Sequence, residues 1–281
     1  MARVWPFYEG QFKASFYGDV MIDLCVVHYN TPSLLERLLE NCHSDYSRNI
    51  WTMYLADNGS GHETDAWIDK NLYKYNVHKY FKNENIGYSA ACNQLASIGS
   101  GEIIGLLNAD IWFSTKDIIA IQEAFDANSD MHILGPKQRD QDGYITHAGI
   151  VGSNIKPVMR GWKKYDPDDL LYKDVVECVT VSGSAYFIRR DTWNSMTYHP
   201  KYQNLVSGAI GAFLPTPHYY EETWCSYFAR HLGYNILYNG NISIGHDWHK
   251  SSRIGGEADQ KFKISQKIFR DACDYFEIER D

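Results

Sequence analysis

Residues 21–29, "MIDLCVVHY", are short, β-rich and nearly all apolar, which predicts a strand covered on both faces. The period then changes. Over 31–42, Leu34, Leu35, Leu38, Leu39 and Cys42 share one helical face. Thr31 is placed as N-cap with Pro32 at the first helical position, and Ser33 with Glu36 offers an alternative capping box. The alternation continues with strands at 50–57, 77–81 and 102–108 and helices at 62–71, 88–98 and about 115–127, the last opened by a Ser114/Asp117 capping box. Strands alternating with helices predict βαβ units and a mostly parallel, twisted sheet flanked by helices over residues 20–135.

Past residue 135 the rhythm breaks. "YITHAGIVG" and "DVVECVTVSGSAYFIRR" predict strands with a basic, aromatic loop between them, followed by a helix at about 220–232. Residues 257–278 have the apolar spacing of an amphipathic helix, through Phe262, Ile268, Phe269, Ala272, Cys273 and Phe276. The expected organisation is an N-terminal arm (1–19), a ligand-binding half (20–135), an irregular second half of the same domain (136–256) and a C-terminal helix (257–281). No flexible linker separates the halves.

The chain is 281 residues long, 44% hydrophobic and 22% charged, which fits a folded domain with a substantial core. Its net charge of −8 argues against a protein that coats nucleic acid by charge alone. None of the six cysteines forms a C-x-x-C pair and most lie in apolar segments, which predicts buried, reduced thiols and a cytoplasmic location. The first residues lack the apolar core of a signal peptide. No stretch approaches the ~18 apolar residues of a transmembrane helix.

In an open parallel sheet, ligands bind beyond the C-terminal ends of the strands. Here those ends read His28-Tyr29-Asn30, Asp57-Asn58-Gly59-Ser60, Asn83-Glu84-Asn85-Ile86-Gly87 and Asn108-Ala109-Asp110. Each alone is ordinary turn chemistry; four on one edge point to a ligand. There is no G-x-G-x-x-G and no G-x-x-x-x-G-K-[ST], which disfavours a dinucleotide cofactor and a P-loop nucleotide site. A lone Asp110 at a strand tip suits a divalent metal bridging phosphates. Asp57 is suited to a base N–H or a ribose hydroxyl, and Gly87 lets backbone approach a ligand beside a helix N-terminus.

"VVHYN", "ADNGS", "NENIGYSAACN" and "LLNAD", in that order, resemble the nucleotide-binding half of inverting GT-A glycosyltransferases of the family 2 type. "VSGSAYFIRRDTW" (181–193) is similar to that family's acceptor-side strand, and "YYEETWCSYFARHLGYNILYNGNISIGH" (219–246) to its acidic helix and closing histidine. The resemblance covers roughly residues 20–250 and implies a GT-A, Rossmann-like α/β fold. It also implies sugar transfer (hexosyl or pentosyl) from a nucleotide-sugar donor to an acceptor hydroxyl with inversion, assisted by Mn2+ or Mg2+.

Carried over by position, the resemblance implies donor contacts from His28, Asn30, Asp57, Asn85, Gly87, Asn93, Asn108 and Asp110. The family's Asp-x-Asp is reduced here to Asn108-Ala109-Asp110, leaving Asp110 as the strong metal ligand and His246 as a second. His249 completes "HDWH", a poor zinc site by ligand number and spacing. Glu222 aligns with the general base and Glu221 is its competitor. Trp224 replaces the motif's last acid, to stack on a ligand or to face the core. Gly183, Trp224, His147 and Arg160 fall on the acceptor side.

Lys156, Arg160, Lys163 and Lys164, with Trp162 and Tyr165, would suit a phosphate-rich acceptor; Asp166, Asp168 and Asp169 balance them as a solvated loop. Three functions follow: a transferase acting on a saccharide, lipid-linked or protein acceptor, a transferase acting on a hydroxylated base in DNA, and a binding module with a decayed site.

Overall fold

The computed structural model describes residues 21–43, 50–247 and 257–280. The proposed N-terminal arm and His249 lie outside them. The first half follows the sequence pattern closely: β1 (Ile22–His28), α1 (Pro32–His43), β2 (Trp51–Asp57), α2 (His62–Asn71), β3 (Lys79–Lys82), α3 (Tyr88–Ala96), β4 (Ile103–Asn108), β5 (Ile111–Trp112) and α4 (Thr115–Ala127). The Ser114/Asp117 capping box forms, with the Ser114 amide donating to Asp117 Oδ2 at 2.7 Å.

The second half contributes β6 (Met131–Arg139), β7 (Ile145–His147), β8 (Ile150–Gly152), β9 (Pro157–Met159), β10 (Val175–Glu177) and β11 (Ala185–Arg189). After these come α5 (Arg190–Thr197), α6 (Pro200–Leu205), α7 (Glu221–His231), β12 (Asn235–His246) and α8 (Glu257–Phe276).

One sheet runs β10-β12-β6-β11-β4-β1-β2-β3. β4, β1, β2 and β3 are parallel, and β11 joins β4 antiparallel. The fold is therefore α/β with a mostly parallel first half, as the pattern predicted. Alternate β1 residues explain the unbroken apolar run. Ile22, Leu24 and Val26 face α1 and α4, whereas Cys25 and Val27 face the core shared with α3, α7 and α8. Burial on both faces is what requires it.

β6 crosses residue 135 and was not anticipated, because Gly135-Pro136 reads as a break. Three residues of β12 bulge out between the pairs Asn239↔Pro136 and Ser243↔Lys137, so the proline falls at an interruption of the ladder. Gly135 is needed for packing: a Cβ there would lie 2.4 Å from Val181 Cβ. All six cysteines are free and buried. Among the described residues, no helix is long and apolar enough to cross a membrane.

Candidate active site

The parallel register sets the tips of the central strands side by side. His28 pairs with Asp57, and Val27 with Asn108. Both His28 and Asp57 are fully buried. Asp57 Oδ1 closes its own turn, accepting from the amide of Ser60 at 3.2 Å and from the Ser60 hydroxyl. Asp57 Oδ2 and His28 Nε2 are buried and meet no hydrogen-bonding partner among the described residues. Burial raises the Asp57 carboxyl above its ordinary range and pushes the His28 imidazole down to about 4, so His28 is neutral at pH 7.

The neighbouring loops brace one another. Asn30, at φ 52°, accepts the Gly61 amide at 2.8 Å. Asn85 Oδ1 accepts from Asn58 Nδ2 at 3.3 Å and from the Gly87 amide at 3.1 Å. Gly87, at φ +85°, then opens α3. Asn93 is turned away from this edge. Its Nδ2 donates to the Phe213 carbonyl at 2.8 Å and its Oδ1 accepts the Phe213 amide at 3.1 Å, so the amide clasps a loop instead of facing the strand tips.

Asp110 is placed by β5, a two-residue strand that pairs antiparallel with the end of β12. His246 lies opposite Ile111, and the Asp247 amide donates to the Asp110 carbonyl at 3.0 Å. His246 Nε2 thereby comes 3.6 Å from Asp110 Oδ1, with both residues buried. Arg37 of α1 locks the strand end, pairing with Asp247 at 2.9 Å and lying over the Trp112 ring at 4.3 Å. Gly245 is obligatory, since a Cβ would fall 1.6 Å from Trp112 Cε2. Gly245→Ala should cost on the order of 1–3 kcal/mol or more by overpacking. An unchanged Tm would contradict the β5–β12 pairing.

The opposite wall comes from the second half. The Ser184 carbonyl accepts the Asn108 amide at 3.0 Å, joining the 182–184 loop to the β4 tip. Tyr88 OH donates to the Gly183 carbonyl at 2.9 Å. A Cβ on Gly183 would lie 3.1 Å from Glu222 Cγ, so this glycine seats the first turn of α7. Glu222 is half-buried there. Glu221 is buried and accepts the Thr216 hydroxyl at 3.2 Å. Burial raises both carboxyls, and the charge of Glu222 raises Glu221 further.

Three residues expected on the acceptor side are occupied elsewhere. Trp224 is fully buried, stacked on Phe228 at 5.3 Å and near Tyr202 at 6.1 Å, so it fills the core and meets no ligand face. His147 Nε2 accepts the Gly149 and Ser182 amides at 3.2 Å each, and burial pushes the ring down to about 3. Arg160 is held by Asp174 at 2.7 Å and lies over Tyr172 and Tyr238. Asp166 and Asp169 pair with the buried Lys137, so they do not balance the basic loop as its sequence suggested. Thr216, Tyr88 and the Arg37–Asp247 pair were missed. Tyr88 lay inside a recognised stretch; the others carry no local signal.

The family model described as glycosyl transferase family 2 matches residues 23–198. The chain belongs to that family. For this family 2 chain the matched span includes Asp57, Asp110 and Gly183 and stops short of Glu222 and His246. No curated protein matches it.

Solved structures share its fold at low identity. A mannosyltransferase from Pyrobaculum calidifontis in complex with GDP-Man and Mn2+ is 14% identical at TM-score 0.55, with 85% of this chain and 59% of that one covered. GalNAc-T7 with UDP, GalNAc and Mn2+ is 16% identical at TM-score 0.58, with 81% and 43% covered. S. aureus TarS 1-349 is 12% identical at TM-score 0.52, with 90% and 72% covered. The family 2 chain thus spans 59% and 43% of the first two.

The donor set suits a divalent cation. Among the described residues no three His, Cys, Asp or Glu cluster as a closed site. Asp110 supplies the carboxylate by which hard divalent cations are held beside phosphates, and the His246 imidazole would add a nitrogen donor of the kind first-row transition metals take.

Proposed function

We propose that this chain transfers a sugar from a nucleotide-sugar donor to an acceptor hydroxyl, with inversion and metal assistance. The single observation that carries the reading is the Asp110–His246 pair, buried at the strand tips and 3.6 Å apart. The Mn2+ and nucleotides named for the mannosyltransferase and GalNAc-T7 structures support it.

Asp110 and His246 would hold the cation, which supplies Lewis-acid stabilisation of charge on the departing diphosphate. Asp57 Oδ2 offers one acceptor to a base N–H, and neutral His28 stands beside it. Asn108 is at hand for a sugar or ribose hydroxyl. Glu222 takes the proton of the acceptor hydroxyl as its oxygen bonds to the anomeric carbon. The carbon–oxygen bond to the diphosphate breaks on the opposite face. One displacement inverts the centre without a covalent intermediate.

A purified chain screened against nucleotide sugars, with Mn2+ and then with chelator, tests this directly. Donor turnover that needs the metal is the expected result; none with any donor would leave only a binding module. Saccharide, lipid-linked, protein and hydroxymethylated-DNA acceptors then identify the acceptor, and a DNA acceptor should respond steeply to salt.

The pH profile has a definite sign. A base must be ionised to act, and burial holds Glu222 above the usual carboxylate range. The rate should therefore fall on acidification at a pH above that of a free glutamate. An acid limb at or below the ordinary carboxylate value would contradict this role.

A further inference from the structure

The turn that launches α7 is gripped by α8. Tyr219 and Tyr220 both have left-handed backbone, at φ 67° and 70°. Bulky L-residues seldom occupy that region, and two in succession persist only where the surroundings over-determine them. One face of α8 does so. Ser265, fully buried, accepts the His218 amide at 3.0 Å. Gln266 Nε2 donates to Tyr220 OH at 3.2 Å. The Tyr220 ring stacks on Phe269 with centroids 4.9 Å apart. Phe262 lies 5.9 Å from the Tyr219 ring and 5.5 Å from that of Tyr220. Positions 262, 265, 266 and 269 are spaced three and four apart, as one helical face requires.

The residues that follow this turn are Glu221 and Glu222, so the path of the turn sets where their side chains leave α7. The far end of α8 does something different. Phe276 packs on Trp224 at 5.4 Å and on Phe228 at 4.7 Å, deep in the core.

We propose that the first half of α8, through Phe262, Ser265, Gln266 and Phe269, positions the Glu222 carboxylate for proton abstraction. The inference rests on Glu222 being the base. These are positioning residues: they act through the Tyr219–Tyr220 turn. Misplacement of a reacting group by about 1 Å costs up to 10²-fold in rate, so a loosened turn should show in kcat while the donor subsite at the strand tips is untouched.

The test compares Ser265→Ala and Phe262→Ala with Phe276→Leu in the full chain, reading kcat, donor KM and Tm, with Glu222→Gln alongside. Phe262 is 40% exposed, so its truncation spares the core should Ser265→Ala fail to fold. The first two should lower kcat about tenfold or more with donor KM within about twofold. Phe276→Leu should lower Tm at least as much and keep kcat. Full kcat in both α8 front variants beside an inactive Glu222→Gln overturns the positioning alone. Loss of kcat that merely follows Tm across all three also overturns it. A fully active Glu222→Gln overturns the base assignment instead.

Discussion

Asp110→Ala should lower metal-dependent transfer by about 10³-fold, because Lewis-acid stabilisation of a leaving diphosphate is worth several kcal/mol and each 1.36 kcal/mol is tenfold. The single carboxylate makes the effect large. Position 108, two residues upstream, is asparagine, so it offers no second carboxylate to the cation. Titration with Mn2+ in the presence of the donor nucleotide gives the readout, with His246→Ala expected to weaken metal binding more mildly. Loss of rate with unaltered Mn2+ affinity would place Asp110 elsewhere in the chemistry. Retention of both would sink the cation site.

Glu222→Gln should lose turnover by about 10²–10⁴-fold and keep donor affinity, since the amide has the shape of the acid and cannot take a proton. The two adjacent acids have different surroundings, and these favour Glu222 as the proposed base. Glu222 sits half-buried against Gly183, on the loop that joins the β4 tip. Glu221 is turned inward on Thr216. Single-turnover kinetics with equilibrium donor binding separates the steps. If Glu221→Gln proves the more damaging substitution, the two roles exchange.

Much of the fold was legible because its signals are local. The Leu34, Leu35, Leu38 and Leu39 face, the Ser114/Asp117 box and the apolar run of β1 each lie within a few residues, and each formed where the pattern placed it. β6 was hidden by a Gly-Pro pair whose effect is cancelled by a bulge about a hundred residues later in β12. α5 and α6 were not anticipated either. Trp224 shows the converse. A tryptophan in place of an acid reads equally as a stacking platform or as core, and only its contacts with Tyr202, Phe228 and Phe276 decide between them.

By itself, then, the sequence determined the α/β alternation, the polar strand tips and the family, because periodicity and turn chemistry are written in neighbouring residues. Tertiary structure alone decided which of those residues meet. Asp110 and His246 are brought together by a two-residue strand pairing with the end of β12. Tyr88 reaches Gly183 across 95 residues, and Asn93, His147 and Arg160 are drawn into structural contacts. Such choices depend on packing between distant segments, where many partners of the same chemical type compete and only the folded chain selects one.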